Sequence, residues 1–561
     1  MNKISLVIVL VCFMTLSSFD VSDIISVTRV DPLRKVFPEN VAFREMKGAV
    51  EVAAGEHAVF QYTVHSSVEV RDLRISCTHL ENTKEGTQIN SINAGFVGYV
   101  GVGSPSEQPS HDMLSSTSGL YPDPIYYLPE YSIPCGQTQA IWVTVSVSSD
   151  IKPGLYEGVV NIQGNVGKDH FSVDKPVEVN VYPVVMEEPS FLTLNWYHDT
   201  PSNLKLFNDG KEASMYSGAY WKFIKALVDK MKEAHQNVAL VNPLQHIIIK
   251  QKSDKYSFDF SHFDKIIEIF QEAGITKMIA GTQIGDRSAL VWTSPYNLRV
   301  PIMENGKMEE HLYPLEDERT QNFYKQFIPA LMDHLKQKGW DKIYYQHIAD
   351  EPIDDNAQSY IAIARFIKGL APQIKIIEAC QSAKLSDAID VWVPILNAYQ
   401  SNYEFFKDRQ KHGDQVWFYT CCFPKGEYVN RFIELPLIKT RLIYWFAFYY
   451  GATGYLHWGF NYWNDHPYED TTVLDDWGST LPGGDSFIVY PDKGRLNGSI
   501  RLEAVRDGIE DYTLLKMLEK NNPALAHKIC GAMIKNWDKY DLDPDHLRTV
   551  RHSILEELSK K

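Results

Sequence analysis

The segment TQNFYKQFIPALMDHLKQKGWDKIYYQHIADEP, residues 320–352, carries the pattern that decides the fold. Its first part repeats apolar residues at helical spacing and stops at Gly339. Its second part, KIYYQHIA, is a short β-rich run that ends on two adjacent acids, Asp350 and Glu351, before Pro352. Helix, turn, buried strand and polar tip make one unit of an alternating α/β domain.

The same rhythm extends both ways. Strand candidates are FLTLNWYHD (191–199), VALVNPL (238–244), TKMIAGTQIG (276–285), KIYYQHIA (342–349), KIIEAC (375–380), VWVPILNAY (391–399), VWFYTCC (416–422) and GYLHWGFNYW (454–463). Helical stretches lie between most of them, such as 220–235, 262–274, 357–370, 402–413 and 435–451. The fifth-to-sixth connection has a short helix or none. Eight such units predict a (β/α)8 TIM barrel, with a doubly wound open sheet as the alternative. Neither GxGxxG after a strand nor GxxxxGK[ST] is present to favour nucleotide binding.

Upstream, AVFQYTVHSSVEVRDLRISC (58–77), QAIWVTVSVSSD (139–150) and PVEVNVYPVV (176–185) alternate or are β-branched, and no long helix interrupts them. A β-sandwich is predicted over 20–186, with YPVVMEEPSF (182–191) at the boundary. The barrel spans 187–515 and a C-terminal helical extension 516–561. On the helical stretch near 500–515, Arg501, Glu503, Arg506, Asp507, Glu510 and Asp511 read as a solvated face with i,i+4 pairs. Trp445, among apolar residues at helical spacing, reads as helix core.

Residues 1–19 have the form of a signal peptide: Lys3, an apolar run from Ile4 to Leu16, then Ser17 and Ser18. Cys12 lies within that run without a small residue just before it, which disfavours lipid attachment. No later segment has ~20 uninterrupted apolar residues, so no transmembrane segment is predicted. The expected location is exported, either periplasmic or secreted. The net charge of −16, without a Lys/Arg-rich run, makes nucleic acid a poor partner. The cysteines have no CxxC spacing; Cys77 and Cys135 can pair, and zinc-finger spacing is absent. No metal or cofactor is called for. The loop NDHPYEDTT (464–472) offers Asp465, Glu469 and Asp470 to a calcium ion, but its irregular spacing favours a solvated loop.

A barrel places its site at the C-terminal strand ends. Those ends hold Trp196, His198, Asn242, Gln283, Asp350, Glu351, Asn397, Tyr399, Tyr419, Trp458, Asn461 and Tyr462. His347 lies just before the acids, and Asp485 follows in GGDSF. His198 and His347 read equally as core or as ligand contacts; Asp485 reads as a sugar-hydroxyl ligand. Aromatic rings and amides around one acidic pair suit a neutral, hydroxyl-rich ligand, because rings stack on apolar sugar faces.

A glycosidase is the natural reading. Retaining and inverting enzymes flank the bond with two carboxyls ~5–5.5 Å or ~6.5–9.5 Å apart. The nearest acid after the seventh strand is Glu427, five residues beyond Cys422. Adjacent Asp and Glu fit substrate assistance better: a 2-acetamido oxygen attacks the anomeric carbon, Glu351 is acid/base, and Asp350 holds the amide N–H. Tyr399 and Tyr419 are candidates beside the acetamido carbonyl. The alternatives are a two-carboxylate β-glycosidase of another specificity and a non-catalytic glycan-binding protein.

Taken in order, KIYYQHIADEP, DVWVPILNAY, VWFYTCC, the block 435–463 and GDSFIVYPDKGRLNGSIRLEAVRDGIEDYTLL (484–515) resemble glycoside hydrolase family 123. The resemblance implies a retaining, exo-acting β-N-acetylgalactosaminidase with an N-terminal β-sandwich, releasing terminal β-GalNAc from glycans or glycolipids, without metal or cofactor. It places Asp350 on the stabilising position and Glu351 on the acid/base position.

Overall fold

The computed structural model describes residues 24–385, 387–475 and 477–560. The signal-peptide segment lies outside them.

The N-terminal part is two packed antiparallel-rich sheets. One runs in the order Ile25–Val30, His57–Ser66, Thr138–Ser146, Ile92–Val102, Gly119–Tyr126. The other is built around Val50–Ala54, Asp169–Val185, Gly154–Val166, Val70–Cys77 and Tyr131–Ile133. Alternate residues of the two, among them Phe60, Tyr62, Val64, Ile141, Val143, Val160, Ile162 and Val179, form a shared core. Cys77 and Cys135 are both free. Val70 pairs with Ile133 at one end of a strand whose other end is Cys77. That register keeps the two thiols apart, so the pairing left open by the sequence does not form.

After Val185 the strands become parallel. In chain order they are Leu192–Asn195, Val238–Val241, Met278–Gly281, Tyr344–Gln346, Lys375–Cys380, Val391–Pro394, the split seventh strand Gln415–Val416 and Phe418–Tyr419, and Gly454–His457. Strands two to six pair sequentially, and the sixth pairs with Gln415–Val416. Phe418–Tyr419 pairs with the eighth strand, and the eighth with the first. Between the first and second, side chains replace a backbone ladder: Asn237 Oδ1 accepts from Thr193 N at 3.1 Å and Gln236 Oε1 from Asn195 N at 3.1 Å. The strands are mostly apolar because helices cover them, with Asn195, Gln346, Glu378 and His457 among the buried polar exceptions. Helix Glu318–Lys338 shows how: Phe323, Phe327, Leu331 and Leu335 recur every fourth residue and are all buried, and Gly339 closes it in the left-handed conformation. No helix forms among the described residues between Cys380 and Val391. One insertion, running from Gly285 through the hairpin Tyr296–Glu304/Lys307–Tyr313, breaks the alternation after the third strand.

Helix Ile500–Asn521 overturns the solvated-face reading. It is a single unbroken helix across position 515, and Arg501, Arg506, Asp507, Glu510 and Asp511 are buried. It is wedged against both parts of the molecule. Arg501 donates two bonds of 2.8 Å to Asp123 of the sandwich. Asp511 accepts from Arg441, Arg551 and the indole of Trp445, which is itself fully buried. Glu510 accepts from the rings of His57 and His235. A charge survives burial only when paired, and here the partners come from distant segments.

Candidate active site

The tip of the fourth strand is held in an unusual shape. Glu378, on the fifth strand and fully buried, accepts from Ile348 N at 2.7 Å, Ala349 N at 3.1 Å, Tyr360 Oη at 2.9 Å, and pairs with His347 Nδ1 at 2.9 Å. Beyond it the chain turns back. Tyr296 Oη donates to Asp350 O at 2.7 Å, Arg287 to Glu351 O at 3.1 Å, and Glu351 N to Ala379 O at 3.1 Å. Glu351 therefore sits at φ +48°, a left-handed conformation that costs a non-glycine residue of order 1–3 kcal/mol and persists only where surroundings over-determine it. The strain lies at the residue whose carboxyl faces the strand ends.

Glu351 Oε1 accepts the hydroxyl of Tyr419 from the seventh strand. Among the described residues no side chain donates to the Asp350 carboxylate. Burial pushes both carboxyls up. For Asp350 the neighbouring charges of Glu351 and Glu378 push further, against the pull of Arg287. For Glu351 the Tyr419 hydroxyl, Arg287 and Gln381 pull back. Both carboxyls therefore hold a proton more readily than free ones, and each feels the other's charge.

The eighth strand supplies an aromatic wall. His198, Trp458 and Tyr462 stand ring against ring, with centroids 4.8 Å (His198–Tyr462), 5.3 Å (Trp458–Tyr462) and 6.1 Å (His198–Trp458) apart. Burial drives His198 down to about 4, so the ring is neutral. Asp485 does not present itself to a ligand. It is fully buried, and its Oδ2 accepts the Trp458 indole N–H at 3.1 Å. Desolvation raises it to about 7. His457 Nδ1 accepts from Gly459 N at 3.1 Å, which leaves the proton on Nε2, 3.4 Å from Asp485 Oδ1. Asn461 is likewise used internally: its amide clamps the backbone N–H and C=O of His198, both at 2.9 Å.

Two further expectations change. The sixth strand ends at Pro394 and a helix, Leu396–Ser401, begins. Asn397 and Tyr399 thus fall on different helix faces. Asn397 is exposed. Tyr399 is buried among Tyr403, Phe406 and Trp537, and its hydroxyl donates to Tyr450 O at 3.0 Å, away from the carboxylates. His347 is fully buried, with Trp196 edge-on at 5.6 Å.

A cavity of about 300 Å³ opens at the tips of strands one to three. Trp196, His198, Asn242, Gln245 and Gln283 line it; Asp350 and Glu351 do not. Trp196 Nε1, Thr282 Oγ1 and Gln283 Nε2 are buried there without a hydrogen-bond partner among the described residues. Unpaired buried polar groups are costly, so a cluster of them marks where a polar ligand completes the bonding. Groups with convergent metal-ligand atoms among the described residues are His57–His235–Glu510, His111–Asp112–Glu427 and Glu304–Glu309–His311; none includes either carboxylate of the pair. In the loop 464–472, Asp470 is engaged by Gly103 and Thr472.

Glu378, Arg287, Tyr296 and Gln381 escaped the sequence reading. A lone acid inside the apolar strand KIIEAC was the available sign of Glu378, since a buried carboxylate requires a dedicated set of donors.

Paired carboxyls at strand ends, an aromatic wall and unpaired polar atoms suit a carbohydrate ligand. Residues 209–518 match the model of the glycoside hydrolase 123 catalytic domain, and residues 34–164 that of the glycoside hydrolase 123 N-terminal domain. The chain belongs to glycoside hydrolase family 123. It is similar in fold to a family 123 glycoside hydrolase from Clostridium perfringens, described for glycolipid glycan hydrolysis, at 18% identity over 96% of this chain and 97% of that one, TM-score 0.73. Much weaker likenesses are to an endo-β-1,4-mannanase from Thermotoga petrophila (13% identity, 58% and 77% covered, TM-score 0.33) and a β-glucuronidase from Parabacteroides merdae (11%, 73% and 48%, 0.27). No curated protein matches the sequence.

Proposed function

We propose that this glycoside hydrolase is an exported, exo-acting, retaining β-N-acetylgalactosaminidase that uses the substrate's own acetamido group as nucleophile. The observation that carries the reading is the adjacency of Asp350 and Glu351 without an acid from the seventh strand. Glu427, the nearest, is bonded to His111 of the sandwich. The β-GalNAc specificity rests on family membership. The Clostridium perfringens relative, described for glycolipid glycans, supports glycolipids as one substrate class. Export rests on the apolar N-terminal run. The same reading takes the eight parallel strands as a (β/α)8 barrel, supported by their sequential order.

The chemistry follows from the two carboxyls. The acetamido N–H donates to Asp350, which favours its charged form and lowers its affinity for a proton. The sugar displaces water around Glu351 and raises its affinity. The proton therefore settles on Glu351, in reach of the leaving oxygen. The acetamido oxygen attacks C1 as the C1–O bond breaks, and Glu351 delivers its proton to the departing alkoxide. Asp350 balances the positive charge of the oxazolinium ion. Glu351, now a carboxylate, takes a proton from water as that water opens the ring at C1. Two inversions give retention. Intramolecular attack draws on effective molarities of about 10⁵–10⁸ M, and proton transfer contributes about 10²–10⁴-fold.

Release of nitrophenol from the β-GalNAc glycoside and not from the β-galactoside tests this. Equal turnover of the two defeats acetamido participation.

A further inference from the structure

The insertion after the third strand and the hairpin Val473–Leu481 after the eighth meet through Trp292 and Trp477, whose ring centroids are 5.9 Å apart at 74°. Trp292 is tied to the acid pair. The Arg287 guanidinium stacks 3.8 Å over its ring, donates to Trp292 O at 3.1 Å and also donates to Glu351 O at 3.1 Å. Asn356 adds a bond of 3.2 Å to Trp292 O. On the hairpin, Asp475 accepts from Trp477 N at 3.0 Å and Ser479 N at 2.7 Å. Yet Trp477 remains 46% exposed, and Leu290, Val291 and Leu474 on the same two loops are more so. Fixed aromatic rings left uncovered beside a cleft have a ligand's apolar face as their natural complement.

Geometry says which part of the ligand. A proton donor must lie within about 2.6–3.2 Å of the oxygen it protonates. The leaving group therefore departs on the Glu351 side of the site, the side to which Arg287 ties Trp292. Arg287, the cation on that wall, is already committed to the Glu351 carbonyl and the indole face, and Asp475 to the hairpin's own amides.

We propose that Trp292 and Trp477 form the leaving-group subsite, where a neutral pyranose linked to the terminal sugar stacks its C–H face. This rests on the galactosaminidase reading and adds a preference: glycan leaving groups over small alkyl ones.

The test compares wild type, Trp477→Ala and Trp477→Phe on two substrates: methyl β-N-acetylgalactosaminide, and a disaccharide with β-GalNAc on galactose. Trp477 is exposed, so its truncation spares the fold. For Trp477→Ala, kcat/KM on the disaccharide is expected to fall about five- to tenfold, with the methyl glycoside unchanged and Trp477→Phe close to wild type. Equal losses on both substrates, or no loss on either, overturn the subsite. A wild type inactive on both strikes the galactosaminidase reading, and the subsite with it.

Discussion

Tyr419, at the end of the seventh strand, donates its phenolic hydroxyl to Glu351, at the tip of the fourth. Where a two-carboxylate glycosidase would carry a nucleophile, this chain carries a hydrogen-bond donor to the acid. The bond stabilises the charged form of Glu351 and opposes the upward push of burial.

Removing that donor has a definite sign. In Tyr419→Phe the Glu351 pKa rises, so the alkaline limb of the kcat/KM profile, where the acid loses its proton, moves to higher pH. A pH–rate series on the nitrophenyl β-GalNAc glycoside measures it. An unmoved limb refutes the assignment of that limb to Glu351.

Glu351→Gln removes proton transfer but not the acetamido attack. Its loss is expected to be about 10²–10⁴-fold on a disaccharide, whose leaving group needs the proton, and much smaller on the dinitrophenyl glycoside, whose leaving group does not. Asp350→Asn is expected to slow both, since the oxazolinium charge forms in either case.

Glu378→Ala leaves two amides and the Tyr360 hydroxyl without their acceptor. Destabilisation of about 2–4 kcal/mol is expected in denaturant unfolding, with a fall in kcat, because the strained turn at Glu351 loses its base. Normal stability would mean that the turn holds without it.

At the sandwich junction, Asp123→Ala strands the buried Arg501 guanidinium. A cost of about 3–5 kcal/mol is expected, and a smaller one for Asp123→Leu combined with Arg501→Met.

Asp485 makes stability depend on pH. Its folded pKa, about 7, lies above its ordinary value of 3.8. Its contribution is therefore full below about pH 4 and is lost as pH rises through 7. Asp485→Asn should flatten that fall, so the variant gains on wild type between pH 4 and 7. Parallel curves would show that Asp485 is ionised in the fold at all these pH values.

What the sequence disclosed follows a physical division. The strand candidates and the DEP tip were legible because burial imposes periodicity on neighbouring residues. The insertion that brings Arg287 and Tyr296 to the acids was not, since loop reach leaves no periodic trace. The charges of helix 500–521 misled for a related reason. At i,i+4 spacing Arg506 and Glu510 look like a solvated pair, and only the distant Asp123, Arg441 and Arg551 make their helix a buried one. Tyr399 was lost because its strand ends at Pro394 and a helix begins at Leu396.

The central claim is that the sugar's acetamido oxygen, and no side chain, attacks C1. Its most direct test is the rate of the enzyme on nitrophenyl β-GalNAc glycosides whose acetyl group carries zero, one, two or three fluorines. Fluorine withdraws electron density from that oxygen alone. The account predicts that kcat/KM drops steeply with each fluorine added. A flat series would contradict it.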